Sequence, residues 1–230
     1  IKQELSSIFD LETRLLPCLI DMKWEGVHVD LEKADSIKKN LIIREKKILK
    51  QIKEDTGIDV DIWAAVSVAK VFDKLDIKYE RTKKSGQPKF DKNFLITHRN
   101  PVARMIATTR EINKARTTFI DTILTHSVDS KIHAEIHQMR SDEGGTVTGR
   151  FSYSNPNLQQ VPSRNKELGP LIRSIFVPKE GCQWGSFDYS QQEPRVLVHF
   201  AALTGGGLRG ADEVIESYKT EDPDFHQAVA

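Results

Sequence analysis

Asp188 is the residue best placed by type to do chemistry. It closes the run Trp184-Gly185-Ser186-Phe187-Asp188 and is followed by Tyr189-Ser190-Gln191-Gln192-Glu193-Pro194-Arg195 and the apolar Val196-Leu197-Val198-His199-Phe200. Residues Cys182 to Asp188 have the pattern of a short strand ending in a carboxylate, with a helix to follow. A carboxylate at a strand end suits a hard cation. Magnesium takes one or two carboxylates together with phosphate oxygens and leaves its other positions to water. Ser190 and Glu193 also meet the Ser-x-x-Glu capping box, so their spacing alone is equally satisfied by the start of a helix.

A second segment changes the balance. It reads Thr146-Val147-Thr148-Gly149-Arg150-Phe151-Ser152-Tyr153-Ser154-Asn155-Pro156-Asn157-Leu158-Gln159-Gln160-Val161-Pro162. This segment resembles the T-x-T-G-R-(L/F)-S-S-x-x-P-N-L-Q-(N/Q)-(I/V)-P signature of family A DNA polymerases, the bacterial DNA polymerase I type, departing only at Tyr153. The Asp188 segment resembles the family's D-Y-S-Q-x-E-x-R at Asp188, Tyr189, Ser190, Gln191, Glu193 and Arg195. Gln192 and Pro194 stand where hydrophobic residues are common, a wording similar to the bacteriophage branch. Weaker similarity covers Asp10 to Asp30, Asn113 to Phe119, and Arg164-Asn165 through Ile172-Arg173.

The resemblance implies a role for each matched position. Asp188 would bind Mg2+ as the catalytic carboxylate, and the carbonyl of Tyr189 would complete one metal site. Gln191, Gln192 and Glu193 would face the nucleotide, with Glu193 against the sugar, excluding a ribose 2′-hydroxyl. His226, in Asp224-Phe225-His226-Gln227, would touch the triphosphate, with Arg164 as a second candidate; Phe225 replaces the family's isoleucine. Arg150 would read the minor-groove edge at the primer terminus, where acceptors lie alike for every base pair. Thr146, Asn157, Gln159 and Gln160 would follow primer and template nearby. The implied partners are primer-template DNA and deoxyribonucleoside triphosphates. Two metals about 3.5 to 4 Å apart need more than one carboxylate. The resemblance puts the second catalytic aspartate, and the arginine and lysine that bind the triphosphate, beyond this chain. The chain is therefore expected to be inactive alone and to work with the remaining fingers-and-palm polypeptide.

Helices must hold these segments. Leu11, Leu15, Leu19 and Met22 share one helical face, and Gly26 ends that helix. Asp30 is a cap for a longer helix, Leu31 to about Asp55, with Ala34, Ile37, Leu41, Ile48 and Ile52 on one face and a basic exterior. Residues Arg81 to Lys92 read as a mobile basic loop. Val102 to His126 reads as a third helix, with Ile106, Ile112, Ala115, Phe119 and Ile123 apolar. The resemblance makes these helices a thumb that grips the DNA backbone, with Lys83, Lys84, Lys114 and Arg116 as phosphate candidates. After His126 the alternation of Ile132, Ala134 and Ile136 predicts a strand over Lys131 to Met139. Opposite them, His133, Glu135 and His137 read as an exposed polar face rather than a metal site. Gly205-Gly206-Gly207 reads as a connector, and Asp224 to Ala230 as helix-like. The expected fold is α+β: a long-helix thumb subdomain with a partial antiparallel-sheet palm of a right-hand polymerase. Residues 1–29 would join the palm, 30–127 form the thumb, and 128–230 form a partial palm ending before the fingers.

Composition sets the outer bounds. The 230 residues are 38% hydrophobic and 29% charged with a net charge of +1, the profile of a soluble globular protein. Total charge is silent on nucleic acid; its distribution is not. Cys18 and Cys182, the two cysteines, are too few for a disulfide framework and read as packing residues in a reducing compartment. No run is long and apolar enough for a membrane span, which points to a cytoplasmic protein, in an infected host cell if of phage origin. Ile1 at the start and Ala230 inside a helix-like run suggest a fragment or split subunit. Asp10-Leu11-Glu12 has the D-x-E form of an exonuclease site but stands in a helical context and is rejected as one. Two other readings remain: a single-subunit RNA polymerase, against which Glu193 argues, and a non-catalytic primer-template DNA-binding module.

Overall fold

The computed structural model describes residues 5–142, 144–163, 165–203 and 209–220. The chain divides into two units, Ile1–Cys182 and Gln183–Ala230.

In the first unit α1 spans Ser6–Glu25 and stops at Gly26, whose φ of +67° and close approach to its neighbours both require glycine. A Cβ there would come within 2.9 Å of the Ile132 carbonyl and 2.8 Å of the His133 ring. Strand β1 (Val27–His28) leads to Asp30, whose carboxylate accepts the Lys33 N–H at 2.8 Å and caps α2, Leu31–Thr56. Gly57, in the left-handed region, ends it.

Between the long helices lie three elements that the sequence reading left out or misjudged. These are α3 (Ala65–Lys74), the hairpin of β2 (Glu80–Arg81) with β3 (Pro88–Lys89), and α4 (Lys92–Thr97). The expected exposed loop is thus the tip of a short hairpin. Thr82 closes its tip, with its hydroxyl 2.7 Å from that of Ser85 and accepting the Gln87 N–H. Phe90 anchors its base in an aromatic group, 4.8 Å from the ring of Phe72. The third long helical run begins at α5, Pro101–Lys114, capped by Asn100. It continues as a π-helical turn, Ala115–Ile120, and ends as α6, Asp121–His126.

Two apolar clusters result. Ala34, Ile37 and Leu41 of α2 meet Ile112, Ile120, Ile132, Ile172 and Ile175 in one. Further along α2, Ile52 joins Val68, Phe72, Leu95 and Ile106 in the other, and Ile48 packs against both. The face expected for α2 is the face it buries.

The expected strand from Lys131 to Met139 is two. Strand β4 (Ser127–Val128) turns into β5 (Lys131–Ile132), and β1, β5 and β4 form an antiparallel sheet in that order. Beyond Ala134, β6 (Glu135–His137) leaves that sheet and pairs with β7 (Ser152–Ser154), Ile136 opposite Tyr153. The alternation was correct, with Ile132 and Ala134 buried; the switch of partner strand, which breaks the run, carries no local signature. The short helix α7 (Leu168–Arg173) packs Ile172 into the first cluster.

In the second unit, residues 183–190 form no strand, although Cys182 to Asp188 reads as one. A strand exists through its ladder of hydrogen bonds, and no described segment pairs with these residues, all of which are exposed. Helix α8 (Gln192–Leu203) follows and packs with α9 (Ala211–Thr220), joined by the Arg195 guanidinium 4.3 Å over the Tyr218 ring. Cys18 and Cys182 are exposed, against the expectation that both pack inside. Cys18 lies on a helix with little covering it, and Cys182 on an exposed stretch.

Candidate nucleic-acid and nucleotide site

The Thr146–Pro162 segment folds back on itself. The Thr146 hydroxyl donates to the Arg150 carbonyl at 2.7 Å, closing a turn that Gly149 completes with φ +76°. The segment enters this turn through Gly145, at φ +94°, where an added Cβ would run into the backbone of Met139 and Arg140. The Gly145 N–H donates to the Ser152 hydroxyl at 3.1 Å, tying turn to strand. Beyond β7, Asn157 caps a single 3-10 turn, Leu158–Gln160, by accepting the Gln159 N–H. The Gln159 amide then donates to the Phe151 carbonyl at 3.0 Å. The loop of Arg150 and the turn of Gln159 are therefore held side by side, with Arg150, Gln159 and Gln160 exposed.

Gln160 also faces the helices. It lines a cleft of about 240 Å³ with Lys114, Lys92, Asn165 and Phe119. Lys114 is exposed there, while Lys92 pairs with Glu111 at 2.9 Å and Asn165 donates to the same carboxylate. Neither Lys92 nor Asn165 was taken as a candidate contact from the sequence; both are held by Glu111, which lies 54 residues from Asn165. Lys83 and Lys84 occupy the exposed tip of the β2–β3 hairpin.

Arg116 stands differently. It is 20% exposed, 3.3 Å from Glu45 and 3.5 Å from Asp121. Glu45 also accepts from Asn113, which in turn accepts from the Trp63 indole at 3.0 Å. Arg116 thus belongs to a polar chain that ties the π-helical turn to α2. Arg110 is likewise engaged, donating to the Ile62 and Phe90 carbonyls, and burial lowers the pKa of its guanidinium.

The three polar residues opposite Ile132, Ala134 and Ile136 each meet a protein partner. His133 bonds the Lys23 carbonyl, Glu135 pairs with Lys23 at 2.7 Å, and His137 lies 2.7 Å from the Ser154 hydroxyl. In α1, Asp10 pairs with Arg14 and Glu12 accepts from Gln138.

In the second unit Asp188, Tyr189, Gln192 and Glu193 are exposed at the approach to α8. Gln191, at φ +51°, turns the chain into the helix, and its side chain accepts from the Tyr218 hydroxyl at 3.3 Å. Arg195 donates back to the Ser190 carbonyl at 2.9 Å. These bonds fix the corner on which Asp188 and Glu193 stand. Among the described residues no three His, Cys, Asp or Glu side chains gather to hold a metal. Asp188 offers one hard-oxygen donor open to solvent, which fits a magnesium ion that keeps much of its water; alone it does not fit a two-metal centre. Arg164, His226, Gly205-Gly206-Gly207 and the helix-like run from Asp224 lie outside the described residues.

Over its entire length the chain is 34% identical to a DNA-directed DNA polymerase of Pseudomonas phage M6 and 34% identical to the DNA polymerase DpoZ of Salmonella phage PMBT28. It is 31% identical, over 94% of its length, to DNA polymerase I of Helicobacter pylori. It spans 37% and 38% of the two phage proteins and 24% of the bacterial one. Its fold matches the POL domain of Pol1 from M. smegmatis, solved in complex with DNA primer-template and dNTP, with a TM-score of 0.76 and 26% identity, covering 99% of this chain and 39% of that one. Among the described residues no helix is long and apolar enough to cross a membrane. The profile of DNA polymerase family A matches residues 31–230, and the chain belongs to that family.

Proposed function

We propose that this chain is the thumb and first half of the palm of a template-directed DNA polymerase that extends a primer 3′ end with deoxyribonucleotides. The observation that carries the reading is the folded Thr146–Pro162 segment, which presents Arg150, Gln159 and Gln160 on one hydrogen-bonded segment beside Lys114. Residues 30–127 act as the thumb. Lys83, Lys84 and Lys114 meet backbone phosphates, whose uniform charge allows grip without sequence preference. Arg150 reaches the minor groove at the primer end, with Thr146 shaping its turn and Asn157 holding Gln159 in place.

On the second unit Asp188 binds Mg2+ with the Tyr189 carbonyl. Magnesium bound there supplies charge neutralisation on the phosphates of the nucleotide. Glu193, in the first turn of α8, packs against the sugar and blocks a 2′-hydroxyl, while Gln191 and Gln192 contact the nucleotide; His226 touches the triphosphate, with Arg164 a second candidate. Catalysis of this kind is mostly positioning and electrostatics, and a single carboxylate does not supply it. The remaining fingers-and-palm polypeptide brings the second carboxylate, and this chain alone does not polymerise.

The test is magnesium-dependent primer extension by the chain alone and mixed with the fingers-and-palm portion of the phage M6 relative. Extension only in the mixture, lost with Asp188→Ala, is expected. Extension by the chain alone would overturn the assignment of an incomplete centre.

A further inference from the structure

The corner before α8 turns on one residue. Gln191 has a φ of +51°, a left-handed conformation that a residue with a Cβ adopts only at a cost and keeps where surrounding contacts outweigh it. Asp188 comes shortly before this kink, and Glu193 shortly after it, in the first turn of α8. The backbone angles of Gln191 therefore decide how the segment bearing Asp188 points relative to the helix bearing Glu193.

Tyr218, in the last turn of α9, holds the kink from two sides. Its hydroxyl donates to the side-chain carbonyl of Gln191 at 3.3 Å, at the kink itself. Its ring lies under the Arg195 guanidinium, 4.3 Å from the ring centre. Arg195 donates from Nε to the Ser190 carbonyl at 2.9 Å, just before the kink, and from its backbone N–H to the Gln191 carbonyl at 3.1 Å. A planar, permanently charged guanidinium suits both tasks at once, stacking on the ring and donating in its own plane. Tyr218, Gln191 and Arg195 are half-buried, whereas Asp188, Gln192 and Glu193 are exposed. The tether thus fixes the backbone of the corner and leaves both carboxylates open to a ligand. All of these groups lie within the second unit.

We propose that Tyr218 is a positioning residue for nucleotide selection: by holding Gln191 in its left-handed conformation it sets where Glu193 stands relative to Asp188, and so how strictly a 2′-hydroxyl is excluded. The proposal rests on the polymerase reading above, and Tyr218 acts in it through Gln191 and Arg195.

The test compares a deoxyribonucleotide with its ribonucleotide in primer extension by the chain mixed with the fingers-and-palm portion of the M6 relative. It adds amide hydrogen exchange over residues 188–195 in the chain alone. Tyr218→Phe removes the hydroxyl and keeps the ring under Arg195; Tyr218→Leu removes both. The ratio of kcat/KM, deoxyribonucleotide over ribonucleotide, should fall about threefold in the first, the size of one neutral hydrogen bond, and about tenfold in the second. Exchange at the Arg195 N–H should quicken in both. The fall comes from a gain for the ribonucleotide as Glu193 gives way, whereas a loss of packing alone lowers both substrates alike. In a Gln191→Ala background Tyr218→Phe should change neither readout, because the bond it removes is already gone. An unchanged ratio, or an equal loss for both nucleotides, would overturn the positioning role and leave the polymerase reading intact. If the wild-type mixture extends no primer with either nucleotide, the polymerase reading fails; quickened exchange in the variants would then uphold the tether, and unchanged exchange would overturn it as well.

Discussion

Arg150 closes a five-residue turn in which the Thr146 hydroxyl donates to Arg150's own carbonyl, and the Gly145 N–H just before it donates to Ser152. Neither of these bonds uses the Arg150 side chain. Arg150→Ala should weaken binding of primer-template DNA by roughly five- to 150-fold, from about 1 to 3 kcal/mol for a good base contact. It should do so evenly across terminal base pairs, as fluorescence anisotropy with each of four primer ends would measure. A loss confined to one base pair would assign Arg150 a different contact. Charge matters for folding at other positions. The N–H of Phe94 and the nearby Lys89 hold the Asp91 carboxyl below its ordinary pKa, and the charge of Lys131, its hydrogen bond and Lys179 do the same for Glu25. A carboxyl with a depressed folded-state pKa stabilises fully above its unfolded value, about 4, and loses that contribution as pH falls through the folded value. Stability should therefore decline below about pH 5. Asp91→Asn keeps a capping group but no charge, so urea unfolding at pH 7 and pH 3 should show its deficit shrinking at the lower pH.

Elements with their own capping and periodicity were the legible ones. Asp30 announced α2, and the structure starts that helix one residue later with the Lys33 N–H on its carboxylate. Asp30→Ala should cost about 1 kcal/mol, seen as a lower urea midpoint with an unchanged slope. The run from Val102 to His126 was also read correctly as helical, but not its π-helical turn, because the spacing of Ala115, Phe119 and Ile123 suits the wider turn as well as an α-helix. What failed had a common cause. The hairpin at Lys83-Lys84 looks polar and loose in sequence, and the packing of Phe90 on Phe72 and Tyr79 gives it a base. The strand read over Cys182 to Asp188 has the right residues, yet a strand needs a neighbour, and none of the described segments provides one. Of the site, the Arg150 and Asp188 segments were visible as motifs, whereas the pairing of Arg116 with Glu45, 71 residues away, was not. Side chains that meet across long separations leave no mark in local spacing.

On the scale of the whole molecule, α2 is common to both apolar clusters. Leu41 lies in one, Ile52 in the other, and Ile48 touches both. A helix shared in this way cannot lose its contacts at one end without exposing its backbone to fraying at the other. The hairpin-bearing end and the sheet-bearing end of residues 5–182 should therefore melt together. Ile106→Ala and Ile172→Ala, one in each cluster, should each cost about 2 to 5 kcal/mol. Both should lower a single calorimetric transition rather than split it. Such cooperativity makes α2 a strut: under the proposed thumb role, a load applied by DNA at the Lys83-Lys84 tip is passed along it toward the cluster on which Tyr153 and Leu158 pack, which would couple grip to the Arg150 segment.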